Sequence, residues 1–124
     1  MKRREFLSMG AGVFAIAAAG KAWGAEAPSN RVRLALVGCR EKGRGAAVLE
    51  RALQVPGVEI SIVCDVDARA RDFAAERVFK ATGVQPRKEK DLRKVLEDAT
   101  LDGIISETPD HGHAMSAVLA MRAG

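Results

Sequence analysis

The feature that most constrains the fold is residues 31–45, RVRLALVGCREKGRG, where an apolar strand pattern runs directly into a glycine-rich turn. Residues 31–37 become wholly apolar towards their end, which is typical of a strand buried on both faces of a parallel sheet. Gly38 and Gly43 follow, and residues 45–53 have helical periodicity. A helix that begins after a glycine turn presents unpaired N–H groups, and glycine lets the backbone approach a phosphate closely. The segment therefore predicts an anion site.

An acidic residue follows the second predicted strand, residues 60–64. A carboxylate at Asp65 is suited to accept both hydroxyls of an adenosine ribose and to repel a 2′-phosphate, which favours NAD over NADP. Arg69 would weaken this preference by pairing with a 2′-phosphate. The alternative for Asp65 is a turn or N-cap aspartate, although Asp67 is better placed to cap the next helix, residues 68–83.

The remainder of the chain alternates short strands with helices. The pattern predicts a strand over 84–87, a helix over 88–98, a strand over 104–106 and a helix over 113–123. This alternation indicates a parallel sheet with right-handed crossovers, so the predicted fold class is α/β, a Rossmann-type doubly wound parallel sheet. Because the chain stops at Gly124, where another strand is expected to begin, we expect the sheet to be incomplete at its C-terminal side.

Three loops of interest follow predicted strands: residues 38–45, 65–67 and 108–113. In open parallel sheets, ligands bind beyond the carboxyl ends of the strands, so we expect these loops to form one site. In the third loop, Pro109 fixes the turn, and Thr108 would hydrogen-bond a nicotinamide ribose or phosphate. His113 opens the last helix, where its imidazole would reach a nicotinamide ribose or phosphate. Exposed loop histidines are the alternative interpretation of His113 and of its neighbour His111.

The glycine turn departs from the G-x-G-x-x-G fingerprint at its middle position, where Arg40 replaces glycine. A side chain at this position would crowd the approach of the pyrophosphate. Two alternatives remain open. Arg40 swings outward and pairs with a phosphate, as Lys42 or Arg44 would, or the segment Gly43–Gly45 supplies the close approach through a longer loop.

Composition limits which partners the chain can bind and which metal or redox centres it can form. The net charge of +4 is interspersed, and aromatic residues make up only 4% of the chain, which argues against nucleic acid as a partner. Cys39 and Cys64 do not make a disulfide framework, and we expect two small, half-buried free thiols, with a disulfide or redox pair as the alternative. No C-x-x-C or H-x-x-x-H spacing presets a metal site.

The first 27 residues are expected to be a targeting segment outside the fold, leaving a domain over residues 28–124. A basic head with Arg3 and Arg4, followed by Phe6-Leu7, precedes an apolar run too short to span a bilayer. This pattern resembles the twin-arginine export signal of bacteria, with a Sec signal or an uncleaved anchor as the alternative. We expect a periplasmic protein with no stable membrane span after cleavage, or a membrane-tethered one if the signal is uncleaved.

Together these segments resemble the Gfo/Idh/MocA oxidoreductases, whose N-terminal domain binds NAD or NADP in a Rossmann fold. The matching residues are 34–45, 63–67, 101–114 and 120–124. The segment TPDHGH (108–113) is the most specific part, because generic dinucleotide folds lack it. The candidate cofactor-binding residues are Gly38, Cys39, Arg40, Gly43, Arg44, Asp65, Thr108, Pro109 and His113.

The resemblance implies hydride transfer between NAD, or possibly NADP, and a hydroxyl carbon of a sugar, inositol or related polyol. It also implies a homo-oligomer and a second α/β domain that this chain lacks. The family's catalytic lysine is expected in a Glu-Lys-Pro motif beyond Gly124, so no catalytic residue is assigned and this chain is not expected to turn over substrate. Glu107 stands where the family often has a small residue. The alternatives are an NAD-dependent glycoside hydrolase of the same fold and a non-catalytic sugar- or nucleotide-binding protein, which Arg40 favours.

Overall fold

The computed structural model describes residues 30–124, in which a four-stranded parallel sheet carries helices. The strands are β1 (Val32–Val37), β2 (Val58–Cys64), β3 (Arg87–Glu89) and β4 (Gly103–Ser106). The helices are α1 (Arg44–Ala52), α2 (Ala68–Thr82), α3 (Leu92–Leu96) and α4 (Asp110–Ala123). The targeting segment that the sequence predicts over residues 1–27 lies outside the described residues.

The strand order is β3-β2-β1-β4, and every neighbouring pair is parallel. Each strand is followed by a helix that returns the chain to the starting edge, so all four strands end at one edge of the sheet. The predicted α/β class with a Rossmann-type parallel sheet is therefore confirmed. The order reverses between β1 and β4, and ligands of such sheets bind in the crevice at that reversal.

The two faces of the sheet carry separate hydrophobic clusters. Leu36 and Val63 pack with apolar residues of α1 and α2, whereas Ala35 and Ile62 pack with Val95 of α3. This separation follows from the alternation of side chains along a strand. Complete burial of side chains such as Leu36 and Val63 contributes roughly 1.5–3 kcal/mol each.

Helix α2 has the two ends that the sequence predicts. The side chain of Asp67 accepts the backbone N–H of Arg69 at 2.9 Å, which caps the first turn. Gly83 adopts a left-handed conformation with φ +74°, and its N–H donates to the Phe79 carbonyl at 2.8 Å.

The predictions for residues 84–98 were wrong in their boundaries. The strand expected over 84–87 lies instead at Arg87–Glu89, because Pro86 has no N–H to donate and the pairing with β2 begins after it. The helix expected over 88–98 is confined to Leu92–Leu96, and the side chain of Asp91 caps it by accepting the Arg93 N–H at 2.9 Å. Pairing with β2 thus overrides the local helical pattern of residues 88–90.

The last helix begins at Asp110, three residues before the predicted start, so most of the predicted loop 108–113 is helical. Pro109 occupies the N-cap position with φ −54°, a value close to that of a helix, and Asp110 places a carboxylate in the first turn, where the helix dipole favours it. Within residues 30–124, no helix is long and apolar enough to cross a membrane.

Candidate functional site

An open cavity of about 770 Å³ lies at the carboxyl ends of the strands. Its walls include a residue at or just after the end of every strand: Gly38 after β1, Asp65 after β2, Glu89 on β3 and Thr108 after β4. This volume falls within the roughly 300–1,000 Å³ typical of small-molecule sites. The loops after β1, β2 and β4 therefore meet at one place, as a parallel sheet predicts.

Two glycines allow the backbone segments around this cavity to touch. Gly38 has φ +92°, and a Cβ there would overlap the backbone carbonyl of Glu107. A Cβ at Gly45 would overlap the carbonyl oxygen of Gly38, so the start of α1 packs directly on the turn. Glu107 makes this close approach to Gly38 through its backbone atoms.

The N-terminus of α1 follows the glycine turn without a side-chain cap. Gly43 occupies the N-cap position and supplies no side-chain hydrogen bond, while its own N–H donates to the Arg40 carbonyl at 3.1 Å. Arg44 begins the helix and is exposed. The first N–H groups of a helix are a natural partner for an anion when no side chain caps them.

Asp65 connects the end of β2 with the glycine turn. One carboxylate oxygen accepts the backbone N–H of Cys39 at 2.8 Å, and the other accepts the N–H of Asp67 at 2.9 Å. Each carboxylate oxygen retains further acceptor capacity, and Asp65 lines the cavity. The predicted ribose-binding residue therefore faces the cavity as an acceptor that two backbone bonds hold in place.

Arg40 lies away from the cavity that Gly38 and Asp65 line. It borders a smaller recess of about 260 Å³ together with Lys42, Asp67 and Arg69. Its stem lies beside Gly43, where an added Cβ would stand 3.4 Å from the Arg40 Cβ. The recess gathers the cationic side chains of Arg40, Lys42 and Arg69, and the two alternatives for Arg40 stay open.

Thr108 lines the cavity within a hydrogen-bonded group of hydroxyls. Its Oγ1 lies 3.4 Å from the Ser106 Oγ, which lies 2.7 Å from the Oγ of buried Ser116. Gly112 in the first turn of α4 leaves room for this arrangement, because a Cβ there would stand 2.9 Å from the Thr108 Oγ1. Pro109 also lines the cavity.

The two histidines of the TPDHGH segment occupy different positions. His111 lines the cavity, whereas His113 is exposed in the first turn of α4 and is not part of the cavity wall. The predicted role of His113 at a nicotinamide stays a prediction. Of the two histidines, His111 is the one whose side chain borders the cavity. His111 and His113 are two residues apart on a helix, so their side chains point in different directions. The sequence predicts a loop here, and a loop sets no such direction.

Cys39 and Cys64 are free and buried, more deeply than the half-buried thiols that the sequence predicts. They pack in the hydrophobic clusters of opposite sheet faces, which disfavours the disulfide alternative. Burial, followed by the nearby Asp65 carboxylate, raises the pKa of Cys39 to about 12. Burial, followed by the Glu89 carboxylate, raises the pKa of Cys64 to about 11, so both thiols are inert at neutral pH.

The loop after β3 contributes a charged wall that the sequence did not predict. Glu89, Lys90, Asp91 and Lys94 line the cavity. Hydrogen bonds from the backbone N–H groups of Asp91 and Lys90 hold the pKa of Glu89 below its usual value, and the Arg93 guanidinium lowers the pKa of Asp91 to about 2. Two residues in the sequence mark the position of β3: Pro86 precedes it, and Asp91 caps the helix that follows it. A strand placed between them would have predicted that Glu89 and Asp91 lie at the cavity.

A metal centre is absent from the part of the chain that the structure describes: no group of three or more histidine, cysteine or acidic side chains is placed to hold an ion. The polar side chains around the cavity are carboxylates, two lysines, a histidine and two hydroxyls, and together with the apolar lining they suit an organic molecule.

No protein-family model matches the chain. Among curated proteins, it is similar to a glycosyl hydrolase family 109 protein of Stenotrophomonas maltophilia, with 33% identity over 132 residues that cover 100% of this chain and 28% of the relative. A protein of the same description from Saccharopolyspora erythraea is 38% identical over 97 residues, 75% of this chain and 21% of the relative. The chain thus spans about a quarter of the length of these relatives.

Two solved structures share the fold. The WlbA dehydrogenase of Chromobacterium violaceum, determined with NADH and UDP-GlcNAcA, superposes with a TM-score of 0.63 at 33% identity over 77% of this chain and 26% of that chain. The scyllo-inositol dehydrogenase of Lactobacillus casei, determined with NAD(H) and scyllo-inositol, gives a TM-score of 0.65 at 17% identity over 76% of this chain and 26% of that chain. The latter similarity is one of fold.

Proposed function

We propose that residues 28–124 are the NAD-binding portion of an enzyme that transfers hydride between NAD and a hydroxyl carbon of a sugar, inositol or related polyol. The observation that carries this proposal is the meeting of the glycine turn, the Asp65 carboxylate and Thr108 around one cavity at the carboxyl ends of the strands. The similarity to a dehydrogenase determined with NADH supports it.

Each part of the site suits one part of a dinucleotide. The uncapped start of α1 suits the pyrophosphate, because no side chain caps the first N–H groups of this helix. The Asp65 carboxylate suits the hydroxyls of the adenosine ribose and disfavours a 2′-phosphate. Thr108 and Pro109 then border the remainder of the cofactor. When bound, NAD supplies the hydride acceptor, and the residues of this chain bind and orient it.

Calorimetric titration of the purified chain with NAD and with NADP tests this proposal. We expect saturable binding of NAD at one site and weaker binding of NADP, because Asp65 faces the cavity as a negative acceptor. NADP binding in preference to NAD would overturn the assignment of Asp65. If neither nucleotide binds, the proposed function is wrong and the fold serves another purpose.

A second candidate function is glycoside hydrolysis that uses bound NAD without net oxidation, since both curated relatives are described as glycosyl hydrolase family 109 proteins. Assays on a protein as long as these relatives distinguish the two functions. Accumulation of NADH with a free sugar or polyol would support the dehydrogenase. Release of nitrophenol from an aryl glycoside with no change in NADH would support the hydrolase, and failure of both in a protein that binds NAD would favour a non-catalytic binding role.

We also propose export through the twin-arginine route to the periplasm, supported by Arg3-Arg4 followed by Phe6-Leu7. Replacement of both arginines by lysine is expected to retain the protein in the cytoplasmic fraction of a bacterial host. Equal amounts in the periplasm for the wild type and this variant would show that another route, or none, applies. Sedimentation of the exported protein tests the homo-oligomer that the family resemblance implies.

A further inference from the structure

We infer that Arg71 is a positioning residue for the Asp65 carboxylate and thereby a determinant of the preference for NAD over NADP. The inference rests on the proposed function, and it concerns a residue that lines neither the main cavity nor the smaller recess. The Arg71 Nη1 donates to the backbone carbonyl oxygen of Asp65 at 2.5 Å. A guanidinium only donates hydrogen bonds and a carbonyl oxygen only accepts them, so this contact has one direction.

The position of Arg71 on α2 brings its side chain to the end of β2. Its backbone N–H donates to the carbonyl of Asp67, the N-cap residue, at 3.2 Å, so Arg71 belongs to the first turn of the helix. Long side chains on a helix point back towards its N-terminus, which here is the side where Asp65 lies. Arg69 behaves differently, because its side chain is 93% exposed and borders the smaller recess.

Apolar packing does not hold the segment that follows Asp65. Residues 66–69 are all exposed, and Val66 is 81% exposed. A segment with so few buried contacts opens at little cost in free energy. The conformation at the end of β2 therefore depends on hydrogen bonds.

The hydrogen bonds of Asp65 form one arrangement. Its backbone N–H donates to the Glu89 carbonyl at 3.2 Å, and its carboxylate oxygens accept the backbone N–H groups of Cys39 and Asp67. Arg71 adds the bond at the Asp65 carbonyl, and it does so with a side chain, which a substitution can remove. The peptide group that contains this carbonyl leads towards Asp67. Fixing it therefore also fixes the turn in which the Asp67 N–H meets the carboxylate.

The surroundings favour a guanidinium that stays in place. Arg71 is half-buried, and its bond to Asp65 is partly shielded from water. Burial raises the pKa of the Cys39 and Cys64 thiols, and the positive charge of Arg71 opposes that rise in both, so the guanidinium lies near the ends of β1 and β2. A hydrogen bond from an ionised donor in such surroundings is stronger than one between neutral groups.

Calorimetric titration of Arg71→Met with NAD and with NADP tests the inference. Methionine keeps an apolar stem and removes the donor. We expect NAD affinity to fall about three- to tenfold, up to the value of one hydrogen bond, and the ratio of NAD to NADP affinity to fall as well. The reason is that a carboxylate free to turn away meets the ribose hydroxyls less often and repels a 2′-phosphate less strongly. Arg71→Lys is expected to recover part of the ratio, because an ammonium group also donates to a carbonyl.

Arg77→Met is the matched control. Arg77 lies on the same helix, but it pairs with Glu50 and lies over the Phe73 ring, so its loss is expected to leave the ratio unchanged. If Arg71→Met does not fold, Arg71→Gln is expected to show the same fall in ratio. The glutamine amide nitrogen stands where the arginine Nε stands, short of the Nη1 that bonds Asp65. An unchanged ratio in the folded variant would overturn the inference.

A measurement without nucleotide separates this inference from the proposed function. Amide hydrogen exchange, followed by NMR, is expected to be faster in Arg71→Met at Cys39 and Asp67, whose N–H groups bind the Asp65 carboxylate. The N–H of Asp102, which donates to the Arg33 carbonyl at the opposite end of the sheet, is expected to exchange as in the wild type. This result would support the inference even if NAD failed to bind, in which case the proposed function alone would fail. Unchanged exchange at Cys39 and Asp67, or equal acceleration at Asp102, would overturn the inference even if NAD bound.

Discussion

The carboxylate of Asp65 accepts the backbone N–H of Cys39 at 2.8 Å, and through this bond the end of β2 holds the glycine turn that follows β1. Its other oxygen accepts the N–H of Asp67, and its backbone carbonyl accepts from the Arg71 guanidinium at 2.5 Å. The residue that we propose to select the ribose thus also fixes the loop proposed to hold the pyrophosphate. A substitution of Asp65 therefore tests both of these roles.

Asp65→Asn is expected to weaken NAD binding about tenfold and to abolish the preference for NAD over NADP. The amide oxygen still accepts one backbone N–H, but the NH₂ group opposes the other, which costs about 1 kcal/mol of stability. Titration with both nucleotides measures the ratio of affinities. Asp67→Asn is the control, because asparagine caps a helix as well as aspartate and this residue lies outside the main cavity. An unchanged NAD to NADP ratio in Asp65→Asn would contradict the assignment.

Gly38→Ala is expected to destabilise the fold severely, whereas Gly83→Ala is expected to cost only about 1–2 kcal/mol. Both glycines have positive φ, but a Cβ at Gly38 would overlap the Glu107 carbonyl, and a Cβ at Gly83 has no atom within 4 Å. Urea denaturation of the two variants measures the difference. Equal losses of unfolding free energy in the two variants would show that the Glu107 backbone moves aside without an energetic penalty.

Arg40→Ala is expected to raise the dissociation constant for NADP several-fold and to leave that for NAD within about twofold, the range of an exposed charge. Arg40 borders the recess with Arg69 beside the end of β2 and lies outside the main cavity. Arg51→Ala, on the exposed side of α1, is the matched control. A gain in NAD affinity would instead show that Arg40 crowds the pyrophosphate.

The thiols of Cys39 and Cys64 are expected to resist alkylation at pH 8 until the protein unfolds, because burial keeps both neutral. Their pKa values in the fold, about 12 and about 11, exceed the ordinary value of 9.0. The stabilising effect is therefore present below pH 9 and is lost as the pH rises through 9 to 12, since the unfolded chain releases these protons first.

Denaturation from pH 8 to 11 measures that loss. The free energy of unfolding is expected to fall less steeply with pH in Cys39→Ala than in the wild type. Rapid alkylation of the native protein at pH 8, at the rate of the unfolded chain, would contradict the buried positions of both thiols.

The sequence by itself determined the strand, glycine turn and helix of residues 31–53, the capped helix α2, and the parallel order of the elements. These features depend on local chemistry, because glycine permits a positive φ, aspartate caps a helix, and apolar runs mark buried strands. The parallel sheet then places the ends of β1, β2 and β4 together without any further information.

Only the tertiary structure decided the position of β3, the start of α4 and which charged side chains line the cavity. Residues 87–89 form a strand because β2 offers them a partner, a fact that no local pattern contains. The same holds for the position of Arg40 at the smaller recess, the packing of Cys39 and Cys64 on opposite faces of the sheet, and the contact between Ser106 and Ser116. Such relationships join residues on different elements, and their distances arise from packing, which the linear sequence leaves open.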